Sequence, residues 1–173
     1  RIDRAVRGRG REARDLLDLS AWQASLDPHE RALAWMVVDD QLVRLAVSPT
    51  RAALSAVPMG ALTDEIEALR LSLASPSTFD ADRAQLIYRQ LFGASGGILA
   101  GGTRWLLALP PSLAAIPVSA LRTPRRKFLV EEVETVRVLS ATVHNALRQR
   151  PPTRSTSVLA VGNPDTTPTL PRL

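Results

Sequence analysis

The hydrophobic and polar positions along this chain change period several times, and each change marks an element. Ala32–Val38 and Leu42–Val47 are apolar-rich runs separated by Asp39-Asp40-Gln41, which predicts a β-hairpin with a short polar turn. On such a strand Trp35 and Met36 point to opposite faces, so at least one packs in the core. Ser48-Pro49 ends the hairpin, and Ala52–Val57 adds a further strand or a connecting segment. The period then lengthens. Ile66, Leu69 and Leu73 share one face of a helix over Glu65–Ala74, opened by Asp64-x-x-Glu67, which is close to a capping box. Ala84, Ile87 and Leu91, with Tyr88 and Phe92 beside them, form the stripe of a second helix. Asp80 caps it, Phe79 can staple its first turn, and Gly93 suits its C′ position.

Trp105–Leu109 is an uncharged apolar run broken at Pro110-Pro111, the pattern of a central strand covered on both faces. A small-residue turn, Ser112–Ala115, and the descent Ile116-Pro117-Val118-x-x-Leu121 follow it. Upstream, Gly93–Thr103 holds five of the nine glycines. Its Gly97-x-x-x-x-Gly102-Thr103 has part of a P-loop's spacing, but the phosphate-reaching lysine is missing and a strand follows where a helix should. That predicts a flexible connector. Arg122–Lys127 reads as a basic surface turn, Phe128–Val133 and Val136–Leu139 as strands, and Ser140 as the cap of a helix reaching about Arg148.

At the amino end, residues 3–18 are compatible with a helix through Ala5, Val6, Ala13, Leu16 and Leu17, although Gly8 and Gly10 each cost about 1 kcal/mol in its interior. Gly8–Ala13 nominally matches a dinucleotide fingerprint, but no strand precedes it and arginines fill two variable positions, so that reading is rejected. Ser20 is a plausible N-cap for Ala21–Leu26, stopped by Asp27-Pro28. At the other end, Pro151–Ser157 is the best domain boundary, and Val158–Val161 opens a new strand ending in Gly162-Asn163-Pro164-Asp165. That strand has no helix after it, so the chain is expected to be cut from something longer.

Composition narrows the chemistry. A chain of 173 residues with 45% hydrophobic content and mean hydropathy near zero fits one folded domain, with room for part of a second. The absence of cysteine removes disulfides, thiolate metal sites and cysteine nucleophiles from this chain, and fits a reducing, cytoplasmic setting. No apolar run reaches the roughly 18 residues of a membrane span, and the nearest, 105–121, holds three prolines. The net charge of +5 is uneven: +4 over residues 1–14, −5 over 15–103 and +6 over 104–173. Of the 22 basic residues only Lys127 is a lysine. Nucleic-acid binding is weighed on that arginine bias and disfavoured, because there are seven aromatics and no groove-reading motif. His29 reads as a solvated loop residue and His144 as helix surface, with no partner at ligand spacing, so no metal or cofactor is expected.

Several stretches resemble, in consistent order, the CHAT domain, a caspase-like region often fused behind TPR repeats. The hairpin from Glu30–Trp35 onward looks like that family's opening. Trp105–Leu121 resembles its strand and the Leu-x-x-[IL]-Pro-[FV]-x-x-Leu that follows, here Leu113 to Leu121. Phe128-Leu129-Val130-Glu131 is similar to its aromatic-Leu-Ile-Glu strand, Ser140-Ala141 to its helix opening, and Val161–Asp165 to its Gly-Asn-Pro-Asp turn, with Leu170-Pro171 trailing. Two positions depart from the pattern. Leu109–Ala114 lacks the polar Pro-Asp-Gly turn, and Leu139 stands where proline is usual.

The resemblance implies an α/β fold, a caspase-like three-layer sheet with flanking helices, present here incompletely. Residues 1–18 would be a helical or frayed lead, 19–152 the family's non-catalytic N-terminal half, and 153–173 a linker and the first strand of the catalytic half. The family's histidine and cysteine would lie past Leu173, so no catalytic residue is assigned in this chain. Asp165 is the one substrate-binding candidate, a carboxylate placed to select a basic side chain. The expected partners are the catalytic remainder of a parent chain, a protein substrate or regulatory protein, and TPR repeats, with no membrane. The alternative is a non-catalytic interaction scaffold of the same fold.

Overall fold

The computed structural model describes residues 18–73 and 75–149. Within them, five strands form one mixed sheet: β1 (Glu30–Val38), β2 (Gln41–Val47), β3 (Ala52–Pro58), β4 (Arg104–Ala108) and β5 (Glu134–Arg137). Their order is β3-β2-β1-β4-β5. The first three are antiparallel neighbours, whereas β4 runs parallel to β1, and β5 parallel to β4. Val38 pairs with Gln41, which leaves Asp39-Asp40 as the turn. Asp39 takes φ +52, a left-handed conformation that aspartate tolerates because its short side chain can bond locally.

Helices lie on both faces: α1 (Leu19–Ser25), α2 (Gly60–Ser72), α3 (Ala81–Phe92), and the shorter α4 (Gly96–Leu99), α5 (Leu129–Glu132) and α6 (Ala141–Arg148). On one face Leu33, Trp35, Leu42, Trp105 and Leu107 meet the stripes of α2 and α3. Phe92 packs against both Trp35 and Trp105, with ring centroids 5.7 and 5.3 Å away, and each such pair adds about 0.5–1.5 kcal/mol beyond burial. Beneath β4, the descent after Pro110 is core: Leu113, Ile116, Val118 and Leu121 are all buried. On the opposite face Trp22 and Leu26 of α1 cover Ala32, Val47 and Leu106, with Val136, Val138 and Ala141 at the margin. The expected α/β class with flanking helices is what the described residues form, and the run beginning at Trp105 supplies most of β4, Arg104–Ala108, covered on both faces.

Several expectations need correction. Asp18, not Ser20, caps α1: its Oδ1 accepts from the Ala21 amide at 2.6 Å and from Ser20 Oγ at 2.9 Å. The backbone bond to Ala21, then the Ser20 hydroxyl, hold the Asp18 carboxyl below the usual range. Asp64 does not open α2. That helix starts at Gly60, five residues earlier than expected, because the buried Met59 and Leu62 dock its first turn and the Met59 amide donates to the Asp40 carbonyl at 2.9 Å. The buried stripe is therefore Leu62, Ile66 and Leu69, and Leu73 is partly exposed. Gly93 is right-handed (φ −54) and leads into the helical turns Gly93–Ser95 and α4, so the glycine-rich connector is built rather than extended.

Phe128–Val133 is not a strand. Phe128 forms a single bridge to Arg122, and Leu129–Glu132 is a helical turn closed by the Glu131 carboxylate on the Phe128 amide at 2.9 Å. The local cap overrides the β propensity of the aromatic and valine residues. β5 begins at Glu134, two residues before the expected Val136, because its parallel pairing with β4 runs from Arg104–Glu134 to Leu107–Arg137. Leu139, expected inside that strand, is 88% exposed. Ala52–Val57 is an edge strand, and Ser140 caps α6 as expected, its Oγ accepting from the Val143 amide. The helix expected over 3–18, the Pro151–Ser157 boundary and the strand Val158–Val161 lie outside the described residues, apart from Asp18.

Candidate functional site

Charged side chains converge at the amino ends of β1 and β4. Glu30 opens β1 and pairs in register with Arg104. Its side chain is only 2% exposed, and a buried charged group costs free energy unless it is paired and hydrogen-bonded. Arg148, in the last turn of α6, donates to Glu30 Oε2 at 2.5 Å and to Asp27 Oδ2 at 2.9 Å. The Asp27 amide donates to the same Glu30 oxygen at 3.0 Å. Arg104 bridges Glu30 and Glu134 at 3.6 and 3.5 Å. Burial works against charge on Arg148, but its bonds to Glu30 and Asp27 outweigh that and raise its pKa.

His144 sits one turn before Arg148 on α6. Burial first, then the nearby Arg148, lowers its pKa; Glu30 opposes this in part and Arg104 adds to it. The ring is thus held toward its neutral form, with Nδ1 buried and unpartnered among the described residues. Spacing along the chain shows His144 no acid, and the fold brings it into the field of Glu30. With Glu30 already held by Arg148, Arg104 and an amide, the arrangement is a clamp that ties α6 to β1. It also lies at the amino ends of the parallel strands, opposite the end where open α/β sheets bind ligands.

A second charged centre replaces the suggested phosphate loop. Arg31, buried on β1, donates through Nε to the Ile98 carbonyl and through one terminal nitrogen to Ala100, both at 2.9 Å. Its other nitrogen reaches the Pro28 and Glu30 carbonyls at 2.8 and 2.6 Å. The loop's own Ala100 and Gly102 amides are used by Gly96 and Leu99 carbonyls. These donors cannot also cradle a phosphate, and the glycines serve instead to bring the loop onto Arg31. Desolvation first, then the charge on Arg51, lowers the Arg31 pKa.

Arg44 is the third. It lies on the α3 side of β2, 3% exposed, and its guanidinium caps the end of α3 by donating to the Leu91 and Gln90 carbonyls. Ser55 Oγ accepts from it at 3.1 and 2.7 Å.

Beside the carboxyl end of β4, Arg137 donates to the Ala114 and Ile116 carbonyls at 2.7 and 2.6 Å, holding the proline-rich descent in place. Asp165, the predicted substrate-binding residue, lies outside the described residues. His29 is exposed, and its carbonyl, not its ring, accepts from the Thr103 and Arg104 amides. Among the described residues no three His, Asp or Glu side chains gather as a metal site would require. No described helix is long and apolar enough to cross a membrane.

Sequence reasoning missed Glu30, Arg31, Arg44 and Arg148 as organising residues. For Glu30, Arg31 and Arg44 the available signal was a charged residue inside, or at the head of, a run that otherwise reads as buried strand; Arg148, on a helix, offered none. No protein-family model matches the chain, and neither does any curated protein, so its function is argued from the residues themselves.

Proposed function

We propose that this chain is the N-terminal, non-catalytic part of a CHAT-type, caspase-like cysteine endopeptidase, supporting a histidine–cysteine catalytic half whose residues follow Leu173. The observation that carries the reading is the placing of the family-like stretches on adjoining pieces of one core. The hairpin β1–β2 lies beside β4, and Leu113–Leu121 packs beneath it. Support also comes from α6, which returns the chain to the amino ends of β1 and β4, the end from which a further parallel strand would run. In this reading the clamp on Glu30 fixes the exit direction of the chain toward the catalytic half. Asp165 is the residue assigned to select a basic side chain of the substrate by charge-assisted bonding.

The test is the parent chain carried past Leu173, assayed on a peptide library with and without iodoacetamide. Cleavage after basic residues that iodoacetamide abolishes, and that Asp165→Asn weakens at least tenfold, is the expected result (about 1.4 kcal/mol per decade). A parent sequence without a histidine and a cysteine at the ends of successive strands would sink the peptidase and leave the scaffold.

A further inference from the structure

The two edges of the sheet are built differently. β5 is four residues long, with Glu134 and Arg137 at its ends, and a short, charged edge resists pairing with another chain. β3 runs for seven residues, Ala-Ala-Leu-Ser-Ala-Val-Pro, without a charge, and pairs with β2 in an unbroken register that has no bulge. Its only proline is the last residue. Nothing within that strand turns a second strand away.

The register fixes which of its backbone groups are open. At one end the Ser48 amide donates to the Arg51 carbonyl at 2.8 Å, and at the other the Met59 amide donates to the Asp40 carbonyl at 2.9 Å. Both bonds continue the β2–β3 register. Hydrogen-bonded and non-bonded pairs alternate along an antiparallel ladder, so Ala53, Ser55 and Val57 exchange bonds with β2. The amides of Ala52, Leu54 and Ala56 therefore point outward, with the carbonyls of those residues and of Pro58. All four residues are exposed, and none of these groups has a backbone partner among the described residues.

We infer that β3 is a self-association edge: two copies of this chain pair β3 with β3, antiparallel across a twofold axis at Leu54, into one continuous sheet. Three features select a second copy as the occupant. The first is bonding. With Leu54 opposite Leu54, Ala52 of each copy meets Ala56 of the other, and each of these pairs exchanges two hydrogen bonds, which uses every outward amide. Pro58 falls outside the paired stretch, so its missing N–H loses no bond. The second is the side chains. Ala34, Leu45 and Leu54 align in one row across the strands, and the axis joins that row to its copy, shielding Leu54, which is otherwise 71% exposed. The third is charge. Arg51, just ahead of β3, has no carboxylate partner among the described residues, and neither Asp39 nor Asp40, beside the far end of the strand, has a cation. Antiparallel pairing sets the Arg51 end of each copy against the aspartate end of the other, whereas parallel pairing would set like against like.

The full chain is followed by sedimentation and amide hydrogen exchange between about 10 μM and 1 mM, the range suited to a small interface. A dimer should form as concentration rises, and exchange at the Leu54 and Ala56 amides should slow about tenfold with it, while Ser55, bonded to β2, is protected throughout. Leu54→Lys and Leu54→Glu should each stay monomeric, because like charges meet at the axis, and their equimolar mixture should recover the dimer. Unchanged protection of α3 amides shows that both variants are folded. A chain that stays monomeric, a dimer that survives both substitutions, or a mixture that does not associate would overturn the inference. So would Leu54 and Ala56 amides already protected in the dilute monomer, which would mean that another part of the same chain pairs with β3.

Discussion

Gly102 offers the sharpest test of how Arg31 holds the glycine-rich loop. An alanine Cβ there would stand 2.3 Å from Arg31 Cγ and 3.2 Å from the Leu99 carbonyl oxygen. Cγ is close to the backbone of β1, so the guanidinium cannot step aside by moving its tip alone; the whole side chain or the loop must shift. Either movement opens the Nε–Ile98 and terminal nitrogen–Ala100 bonds. Charge-assisted hydrogen bonds contribute roughly 1.5–3 kcal/mol each, and partial access of water to this loop returns some of that. Gly102→Ala should therefore destabilise by about 2–4 kcal/mol. Arg31→Ala alone should cost a similar amount, about 2–4 kcal/mol, by stripping the Ile98, Ala100, Pro28 and Glu30 carbonyls of their donor. In the double variant the contact with Arg31 Cγ is gone and only the 3.2 Å approach to the Leu99 carbonyl remains, so its loss should fall well short of the sum of the two single losses. Urea titrations of the four proteins, compared at unchanged m-value, give the coupling directly. If the two losses add within about 0.5 kcal/mol, the glycine is not there to admit the arginine, and the account of the loop is wrong.

Three further outcomes follow from the same contacts. Leu107→Ala, in the fully packed centre of β4, should cost about 2–5 kcal/mol by urea denaturation, whereas Leu139→Ala, 88% exposed, should stay within about 0.5 kcal/mol. Arg44→Ala should cost about 2–4 kcal/mol, because the α3 carbonyls at Gln90 and Leu91 lose their donor in a dry site; hydrogen exchange at the end of α3 should rise with it. His144 has a folded-state pKa depressed by burial and by Arg148, so the unfolded chain binds the proton more readily. Stability should fall as pH drops through the unfolded histidine range near 6.5 and level off below the folded pKa, and His144→Gln should flatten that part of the melting-temperature profile. A melting temperature of His144→Gln that tracks the parent chain across this range would refute the assignment.

Much of the fold is legible in local pattern. Alternation around Asp39-Asp40 gives the hairpin, with Trp35 inward and Met36 outward. Asp80 and Ser140 announce helix starts because each offers an oxygen to an amide three residues on. The uncharged Trp105–Leu109 run needs only hydrophobicity and a double proline to read as a central strand. Two of the failures come from distant partners and one from a local cap. The start of α2 depends on Met59 reaching the Asp40 carbonyl, and the strand start at Glu30 depends on Arg104 and Arg148. Phe128–Val133 has strand-like residues, and a single carboxylate closing on the Phe128 amide makes it helical.

By itself, then, the sequence determined the hairpin turn, most of the periods and the caps at Asp80 and Ser140, because those depend on neighbours within a few residues. It also excluded thiol chemistry from this chain through the lack of cysteine. Only the tertiary structure decided what becomes of the charges. Arg31 meets the loop at Ile98–Ala100, Arg44 meets the end of α3, and Glu30 meets Arg148. A buried charge is tolerated where distant partners satisfy it, and no window of neighbouring residues contains those partners.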